Sequence, residues 1–375
     1  MQREDTSEFR RALFGGLARD LYSLHATNAD HVRFRLGRRQ RTAARLKDAL
    51  AVGVDRLGIT SRPRRLDPLA TQLIRLVDTL DRGERVHDLF ADSESRALWI
   101  ELLRYRTLGP RRVRLRRNSR DYWSAYNSVD TRFLRGRNSM EACGHRLNLY
   151  EVPGRDGPIR AHTHSLFVLN TFVLGQYAYA SDVATVQADH GDLVIDGGAC
   201  WGDTALAFAD AVGPEGHVHC FEFVPDNLAV LHENLRLNPG LAERISVHAS
   251  ALWRTSGETF SFDARGPGSF LLEEAGEVSV DTVTIDDFVT RQGLERVDFV
   301  KLDVEDAEVA ALDGAAGTIA KWKPKLAAAI YHSDEQFLAV PERVIELEPS
   351  YRLFLDHLTV HTEETVLYAT ASEDA

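Results

Sequence analysis

The sequence predicts an α/β protein with a parallel sheet covered by helices on both faces in its second half and a mainly helical region before it. From residue 191 onward, short apolar strands alternate with helical segments, the order that builds such a sheet. Residues 69–80 and 95–108 carry apolar side chains at three- and four-residue intervals, which indicates helices. Hydrophobic residues make up 44% of the chain and charged residues 27%, so we expect compact, globular folding.

The length of 375 residues favours two domains over one or three. We predict a mainly helical, arginine-rich region at 1–150, a linker that borders a cleft at 151–190, and a ligand-binding α/β domain at 191–375. Within that domain the patterns predict strands at 193–196, 217–223, 245–248, 297–302 and 326–331, and helices at 202–212, 225–237 and 306–322. The stretch 258–284 is rich in β-forming residues and glycine, so we expect an antiparallel excursion there.

The net charge of −11 is divided unevenly along the chain. Residues 1–140 hold 30 of the 45 Lys and Arg residues but only 17 of the 56 Asp and Glu residues, and the densest basic cluster is 111–117. Such a cluster is either a solvated or docking face, or a seat for an anionic substrate that arginine binds in bidentate fashion. Nucleic acid is disfavoured as a partner because the pI is about 5.7 and no nucleic-acid motif is present.

The N-terminal residues do not have the basic-then-apolar order of a signal peptide, and no apolar run reaches the roughly 18 residues of a membrane span. We therefore expect a cytoplasmic protein without a membrane span. Cys143, Cys200 and Cys220 form no pair or Cys/His cluster with zinc spacing. Packed, reduced thiols are the favoured interpretation, with a functional thiol at Cys200 as the alternative.

A glycine-rich turn follows the first predicted strand, in the sequence VIDGGACWGDT at 194–204. Such a turn lies at the carboxyl edge of a doubly wound sheet, where ligands bind, and its glycines let the backbone approach a ligand closely. The turn lacks the GxGxxG order of a dinucleotide site. It carries Asp196 at the strand end, which repels pyrophosphate but suits the ammonium and sulfonium charges of S-adenosylmethionine. An incidental glycine turn is the alternative.

A second acidic residue, Glu222, ends the second strand, 26 residues after Asp196. An acid at about this distance accepts hydrogen bonds from ribose hydroxyls, whereas a lone acid at a strand end is more often a surface residue. The glycine turn decides between these interpretations in favour of a ribose contact. The full set of residues that we expect at the cofactor is Asp196, Gly197, Gly198, Ala199, Gly202, Asp203, Thr204, Glu222, Phe223 and Ala251.

Four ordered motifs resemble those of the FkbM-type methyltransferases. They are VIDGGACWGDT at 194–204, FEFVPDN at 221–227, TIDDF at 284–288 and FVKLDVEDAE at 299–308. LDGA at 312–315, KPKL at 323–326, YH at 331–332 and ETVLYA at 364–369 extend the similarity over nearly the whole second half.

The resemblance implies a class I, Rossmann-like methyltransferase sheet of seven strands with a reversed last strand. It also implies S-adenosylmethionine as cofactor and O-methylation of a sugar, glycan or natural product. One departure stands out: the family usually has Glu-Gly where this chain has Glu305-Asp306. The change adds a carboxylate and removes backbone freedom, so we expect a different helix start there.

Methyl transfer to a hydroxyl requires alignment of the acceptor oxygen and removal of its proton. Asp303 follows the strand at 297–302 and His332 follows the next strand, so both should meet at the ligand-bearing edge. We expect Asp303 and His332 to be the base and its orienter, with Glu305 as a further contact. Helix capping by Asp303 and simple packing of His332 are the alternatives.

A metal is not favoured, although carboxylates of Asp303, Glu305, Asp306 and Glu308 offer the oxygen ligands that Mg²⁺ prefers. Lys301 is expected only to cap the sheet.

Two other function classes stay open: a nicotinamide-dependent oxidoreductase on the same sheet type, and a non-catalytic nucleotide-binding module. The oligomeric state is unpredicted.

Overall fold

A computed structural model describes residues 7–21, 67–263, 270–272 and 278–371 of the chain. These residues divide into two compact units. The smaller unit holds the described residues up to Arg120 together with Thr359–Glu363, and the larger unit holds the others. Its boundary therefore precedes the predicted one at residue 150, because the strands that follow Phe133 pack within the larger unit. Among the described residues, no helix is long and apolar enough to span a membrane.

The smaller unit is helical. Its described helices are α1 (Glu8–Leu21), α2 (Asp67–Asp78), α3 (Leu80–Leu89) and α4 (Ser93–Leu108). Helix α4 begins after Asp92, whose carboxylate accepts a hydrogen bond from the amide of Ser95 at 2.6 Å, a standard N-cap contact. The predicted helices at 69–80 and 95–108 are confirmed, and residues 22–66 of the predicted helical region lie outside the described part.

The arginine cluster 111–117 makes internal contacts within the smaller unit. Arg114 donates two hydrogen bonds to the carbonyl of Asn118, at 3.0 and 2.6 Å. Arg116 pairs with Glu101 at 2.9 Å, and Arg112 donates to the carbonyl of Leu21. At least three of these side chains therefore stabilise the unit itself.

The larger unit opens with a segment that the sequence did not predict. It comprises helix α5 (Arg120–Phe133), antiparallel strands β1 (Leu134–Ala142), β2 (His145–Pro153) and β3 (Pro158–Thr163), the short helix α6 (Ser165–Phe167), a π-helical turn (Val168–Leu174), and strands β4 (Tyr179–Ala180) and β5 (Thr185–Val186). The hairpin packs Ala142 and Leu147 against Trp201 of the glycine-rich turn and Val230. Residues 151–190 are thus structured parts of the α/β unit.

The remaining strands are β6 (Leu193–Gly197), β7 (His217–Phe221), β8 (Ile245–His248), β9 (Ala251–Leu252), β10 (Thr259–Asp263), β11 (Phe270–Leu272), β12 (Val278–Val283), β13 (Phe299–Leu302), β14 (Lys325–Ala329), β15 (Tyr351–His357) and β16 (Thr365–Ala371). Seven of them form one sheet in the order β15-β16-β14-β13-β6-β7-β8. Strands β14, β13, β6, β7 and β8 run parallel, and β16 is antiparallel to both neighbours. The expected sheet with a reversed last strand is confirmed.

Helices connect these strands: α7 (Asp203–Val212), α8 (Pro225–Leu237), α9 (Pro239–Ala242), α10 (Ile285–Gln292), α11 (Glu308–Asp313), α12 (Ala316–Trp322) and α13 (Asp334–Leu347). The single helix expected at 306–322 is wrong, because the chain breaks between Asp313 and Ala316 into two short helices. A Cβ at Gly314 would lie 2.1 Å from the carbonyl oxygen of Trp253. The second part restarts where the Asp286 carboxylate accepts hydrogen bonds from the amides of Gly317 and Thr318, at 2.8 and 2.7 Å.

The excursion expected at 258–284 is confirmed in its described part. Strands β10, β11 and β12 pair antiparallel, and β12 continues beside β9 in parallel. Val280 of β12 packs with Val224 and Ala251, with Cys143 and Phe223 against them. This small sheet therefore covers the carboxyl edge of the large one next to β7.

Candidate active site

The glycine-rich turn after β6 has a backbone shape that requires glycine. Gly198 has φ +80°, and a Cβ at this position would lie 1.9 Å from the carbonyl oxygen of Asp303. Gly202 has φ +81° and stands in front of Leu231, whose Cγ would lie 3.0 Å from an added Cβ. The turn is therefore packed against the end of β13 and the face of α8.

Three backbone amides of this turn donate hydrogen bonds within the fold. Those of Gly198 and Ala199 donate to the carbonyl of Phe221, at 3.0 and 2.9 Å, and that of Gly202 donates to Ala199 at 2.7 Å. A phosphate cradle needs such amides to point at the ligand. These three do not point at a ligand, so none of them is available to a pyrophosphate.

A buried ion pair supports the turn from below. The ammonium of Lys301 lies 3.0 Å from Asp196 and donates to the carbonyls of Gly197 and Gly198, at 2.9 and 2.8 Å. The Asp196 carboxylate also accepts from Thr204 at 2.7 Å. Asp196 therefore faces Lys301 and not a ligand, and Lys301 does not cap the sheet as expected. Burial opposes its charge, but the Asp196 and Asp303 carboxylates hold the pKa of Lys301 above its ordinary value.

The carboxylate of Asp203, at the start of α7, is also hydrogen-bonded within the fold. It is 3% exposed, and its carboxylate accepts a hydrogen bond from Thr171 of the π-helical turn at 2.7 Å. Burial raises the pKa of Asp203 to about 6. Asp203 and Thr204 thus brace the back of the turn, where the sequence had suggested cofactor contacts.

Glu222 lies at the end of β7, as expected. Its carboxylate is 6% exposed and accepts hydrogen bonds from the amides of Phe223 and Val224, both at 2.7 Å, and from the side chain of Asn227 at 3.2 Å. Burial raises the pKa of Glu222 to about 7, against the lowering effect of these hydrogen bonds. The carboxylate is therefore held rigidly at the edge of the sheet.

A cleft of about 570 Å³, open solvent at its mouth included, opens at this edge. Its lining includes six of the predicted site residues: Gly198, Glu222, Phe223, Ala251, Asp303 and Glu305. The other predicted residues, Asp196, Gly197, Ala199, Gly202, Asp203, Thr204 and His332, are not among the lining residues. The described lining has three acids and no Lys, Arg or His, so the cleft favours a neutral or cationic ligand.

Cys200 also lines the cleft. Burial, together with the Glu222 and Asp203 carboxylates, raises the pKa of its thiol well above the ordinary value. Because the thiolate is the reactive form, this environment favours a packed thiol over a functional one.

Asp303 follows β13 and is held by three side chains. Its carboxylate accepts from Tyr177 at 2.7 Å and from Tyr331 at 3.1 Å, and it lies 3.2 Å from Nε2 of His332. Burial would raise the pKa of Asp303, but the hydrogen bond and charge of His332 outweigh burial and lower it well below its ordinary value. Asp303 is therefore ionised. It does not cap α11, since Glu308 reaches back to the amide of Val304 at 2.9 Å.

His332 meets three carboxylates. Nε2 lies 3.2 Å from Asp303 and 3.5 Å from Glu305, and Nδ1 lies 3.0 Å from the fully buried Glu308. Burial would lower the pKa of His332, but the Asp303 and Glu308 carboxylates raise it to about 11. The ring is an imidazolium at neutral pH. The structure therefore brings together Asp303, His332 and Glu305, although His332 lies three residues beyond the end of β14.

The same cluster can be tested as a metal site. Asp303, Glu308 and His332 each offer a ligand atom within 4.8 Å of the others. However, the imidazole faces Glu308 through Nδ1 and Asp303 through Nε2, so a single ion could not take the place of both contacts. Both ring nitrogens thus lie at ion-pair distance from carboxylates, as expected of an imidazolium between two acids.

Two consecutive residues here have left-handed backbone. Glu305 has φ +54° and Asp306 has φ +76°, a region that non-glycine residues rarely adopt. These are the positions where the related family usually has Glu-Gly. The structure thus retains the turn despite the aspartate, and α11 begins only at Glu308. Strained backbone next to a cleft is common at functional sites.

Comparisons with known proteins agree with this geometry. The seven-stranded sheet with its reversed strand defines a class I methyltransferase fold. Residues 188–359 match the family model of the methyltransferase FkbM domain. No curated protein matches the sequence.

Several solved structures are similar to this chain. The methyltransferase FkbM from Methylobacillus flagellatus is 19% identical, with a TM-score of 0.50 over 79% of this chain and 60% of that one. The present chain therefore spans only 60% of the length of that protein. Aeropyrum pernix fibrillarin with bound S-adenosyl-L-methionine is 15% identical, covering 63% and 99% of the two chains with a TM-score of 0.32. A SAM-dependent O-methyltransferase from Thermotoga maritima is 17% identical, covering 50% and 62% with a TM-score of 0.30.

Sequence reasoning missed Tyr177, Tyr331 and the role of Lys301. Tyr331 directly precedes His332, so its proximity to the site could have been inferred. Tyr177 comes from a segment about 125 residues before Asp303, and no local pattern connects the two.

Proposed function

We propose that the domain transfers a methyl group from S-adenosylmethionine to a hydroxyl oxygen of a sugar, glycan or other natural product. The observation that carries the proposal is the cleft itself. It joins a glycine turn, in which the amides of Gly198, Ala199 and Gly202 are hydrogen-bonded within the fold, to a rigid carboxylate at Glu222 and to the acids Asp303 and Glu305. When bound, S-adenosylmethionine supplies an electrophilic methyl carbon attached to a positively charged sulfur.

The residues present fit this cofactor. Gly198 lines the cleft with a left-handed backbone that favours glycine, and Glu222 has the position from which a carboxylate accepts hydrogen bonds from ribose hydroxyls. The acidic lining stabilises a cation and disfavours the pyrophosphate of a nicotinamide dinucleotide. These features support a methyltransferase over an oxidoreductase.

The acceptor hydroxyl would lie near Asp303 and Glu305. The pKa of His332 is raised to about 11, and both of its nitrogens lie at ion-pair distance from carboxylates, so its role in this proposal is to orient the carboxylates. The proton of the acceptor then passes to one of the two carboxylates that line the cleft. The acidic lining does not support the anionic acceptor that the arginine cluster suggested, and we propose a neutral or cationic one.

The cofactor assignment is tested by Glu222→Ala. Loss of hydrogen bonds to a charged acceptor should weaken S-adenosylmethionine binding by about 1.5–3 kcal/mol, measured by calorimetry. Glu233→Ala, at a half-buried position of α8 where the side chain pairs with Arg236, is the matched control and should leave binding unchanged. Equal affinity of folded Glu222→Ala and wild type would remove Glu222 from the site.

The catalytic assignment is tested by turnover. Asp303→Asn and His332→Ala should each lower kcat by roughly 10²–10⁴-fold with cofactor still bound, and the double variant should fall little further. Chelation should leave wild-type turnover unchanged. Loss of activity in chelator with recovery in added Mg²⁺ would instead assign a metal to the cluster. A folded protein that binds S-adenosylmethionine but methylates no acceptor would favour the binding module.

A further inference from the structure

We propose that Lys301 is a positioning residue for the cofactor, holding the glycine turn in the shape that receives it. The inference rests on the proposed function, since it concerns the same cleft. Lys301 does not line the cleft and acts through Gly198, which does.

The buried ammonium of Lys301 contacts the glycine turn and the carboxylate of Asp196. The residue is 1% exposed. Its contacts are the carbonyls of Gly197 and Gly198 and the carboxylate of Asp196, all within 3.0 Å. Two of the three N–H donors of the ammonium are thus hydrogen-bonded to the turn, and the Asp196 carboxylate lies at ion-pair distance. The ring of Tyr177, 5.2 Å from Nζ, closes the site on another side.

Two consecutive carbonyls held by one ammonium fix the orientation of two peptide planes. The amides on the other side of the turn are fixed as well, because Gly198 and Ala199 donate to Phe221. Gly198 also packs against the carbonyl of Asp303 with no room for a Cβ. Lys301 therefore holds the turn from β13, and the carbonyl of Phe221 holds it from β7. These contacts keep Gly198, in the cleft wall, packed against Asp303 at the end of β13.

A purely structural role predicts something different. If Lys301 only neutralises Asp196, removing both charges together should restore a normal protein, because a buried pair replaced by neutral residues of similar size is often well tolerated. If Lys301 positions the turn, the neutral pair should fold yet bind the cofactor poorly. The two roles therefore separate in a variant that lacks both charges.

The experiment compares S-adenosylmethionine affinity by calorimetry and Tm by calorimetric unfolding for three variants. Asp196→Asn keeps Lys301 on both carbonyls and should bind within about threefold of wild type. Asp196→Asn combined with Lys301→Met should bind at least about tenfold more weakly, the loss expected from charged hydrogen bonds. Lys325→Met is the matched control: Lys325 pairs with Asp189 and Asp192 at the opposite edge of the sheet, so its Tm should fall with unchanged affinity.

Wild-type affinity in the double variant, or an equal loss of affinity in Lys325→Met, would overturn the positioning role while leaving the proposed function intact. Absence of binding by the wild-type protein would instead overturn the proposed function, and this inference with it. If the double variant is not folded, Asp196→Asn with Lys301→Gln restores one amide donor. It should then bind with intermediate affinity, and wild-type affinity there would again contradict the inference.

Discussion

The contacts of His332 predict an unusual dependence of stability on alkaline pH. Its imidazolium lies between Glu308 on one side and Asp303 and Glu305 on the other, and the side chain is only 7% exposed. His332→Gln removes the charge and leaves these carboxylates together. Because breaking a buried ion pair leaves uncompensated charge, we expect a loss of about 3–5 kcal/mol in the free energy of unfolding at pH 7.

The sign of the pH dependence follows from the two pKa values. The folded-state pKa of His332 is raised to about 11, above the roughly 6.5 of an unfolded histidine. Its stabilisation is therefore complete below pH 6.5 and is lost as the pH rises toward 11. With one more proton bound in the native state, the loss is about 1.4 kcal/mol per pH unit. Between pH 7 and pH 9, the stability difference between wild type and variant should shrink by roughly 3 kcal/mol.

Urea unfolding of both proteins at pH 7, 8 and 9 measures this difference. Subtracting the variant removes contributions from cysteines and other groups that titrate in the same range. A stability difference that stays constant from pH 7 to pH 9 would show that His332 is neutral in the native protein. The imidazolium would then be excluded, and His332 would again be available as a general base.

Two further predictions use the same unfolding assay. Burial, together with His217 and His248, lowers the pKa of His219 to about 4, and this side chain is 7% exposed. Because the unfolded chain binds one more proton between pH 6.5 and 4, the free energy of unfolding of wild type should fall by up to about 1.4 kcal/mol per pH unit in this range. The free energy of unfolding of His219→Gln should fall less. An equal acid slope in both proteins would contradict this. Asp306→Gly should raise the free energy of unfolding by up to about 1 kcal/mol because it relieves the positive φ, whereas Asp306→Ala should lower it. A destabilised glycine variant would mean that the aspartate side chain itself stabilises the turn.

The sheet was predictable because each strand and helix of the second half is local and strongly patterned. The strand at 193–196, the glycine turn and Pro225 at the start of α8 are each specified by a few adjacent residues. Strands β1–β3 were not predicted, since most residues of β1 are exposed or half-buried and β2 carries polar residues among its apolar ones. Their burial depends on contacts with Trp201 and Val230, which no local pattern shows.

The acidic residues of the site could be predicted from the sequence, but the side chains that contact them could not. Asp303, Glu305 and Glu222 follow from strand ends, because the carboxyl ends of parallel strands share one edge. The partner of Asp196 could not be read from sequence, since it depends on the register that places Lys301 beside Asp196 across β13 and β6. That register changes the interpretation of Asp196 from a ligand contact to a buried counter-ion. The protonation of His332 likewise depends on a contact that is distant in sequence, because Glu308 reaches the ring from the start of α11.

The central claim is that the cleft binds S-adenosylmethionine, and calorimetric titration of the wild-type protein tests it most directly. Titrations with S-adenosylmethionine and with NAD should be run on one preparation at pH 7. The acidic lining and the hydrogen-bonded amides of Gly198 and Ala199 predict saturable one-to-one binding of S-adenosylmethionine and no measurable heat with NAD. Binding of NAD without binding of S-adenosylmethionine would contradict the account and favour the oxidoreductase.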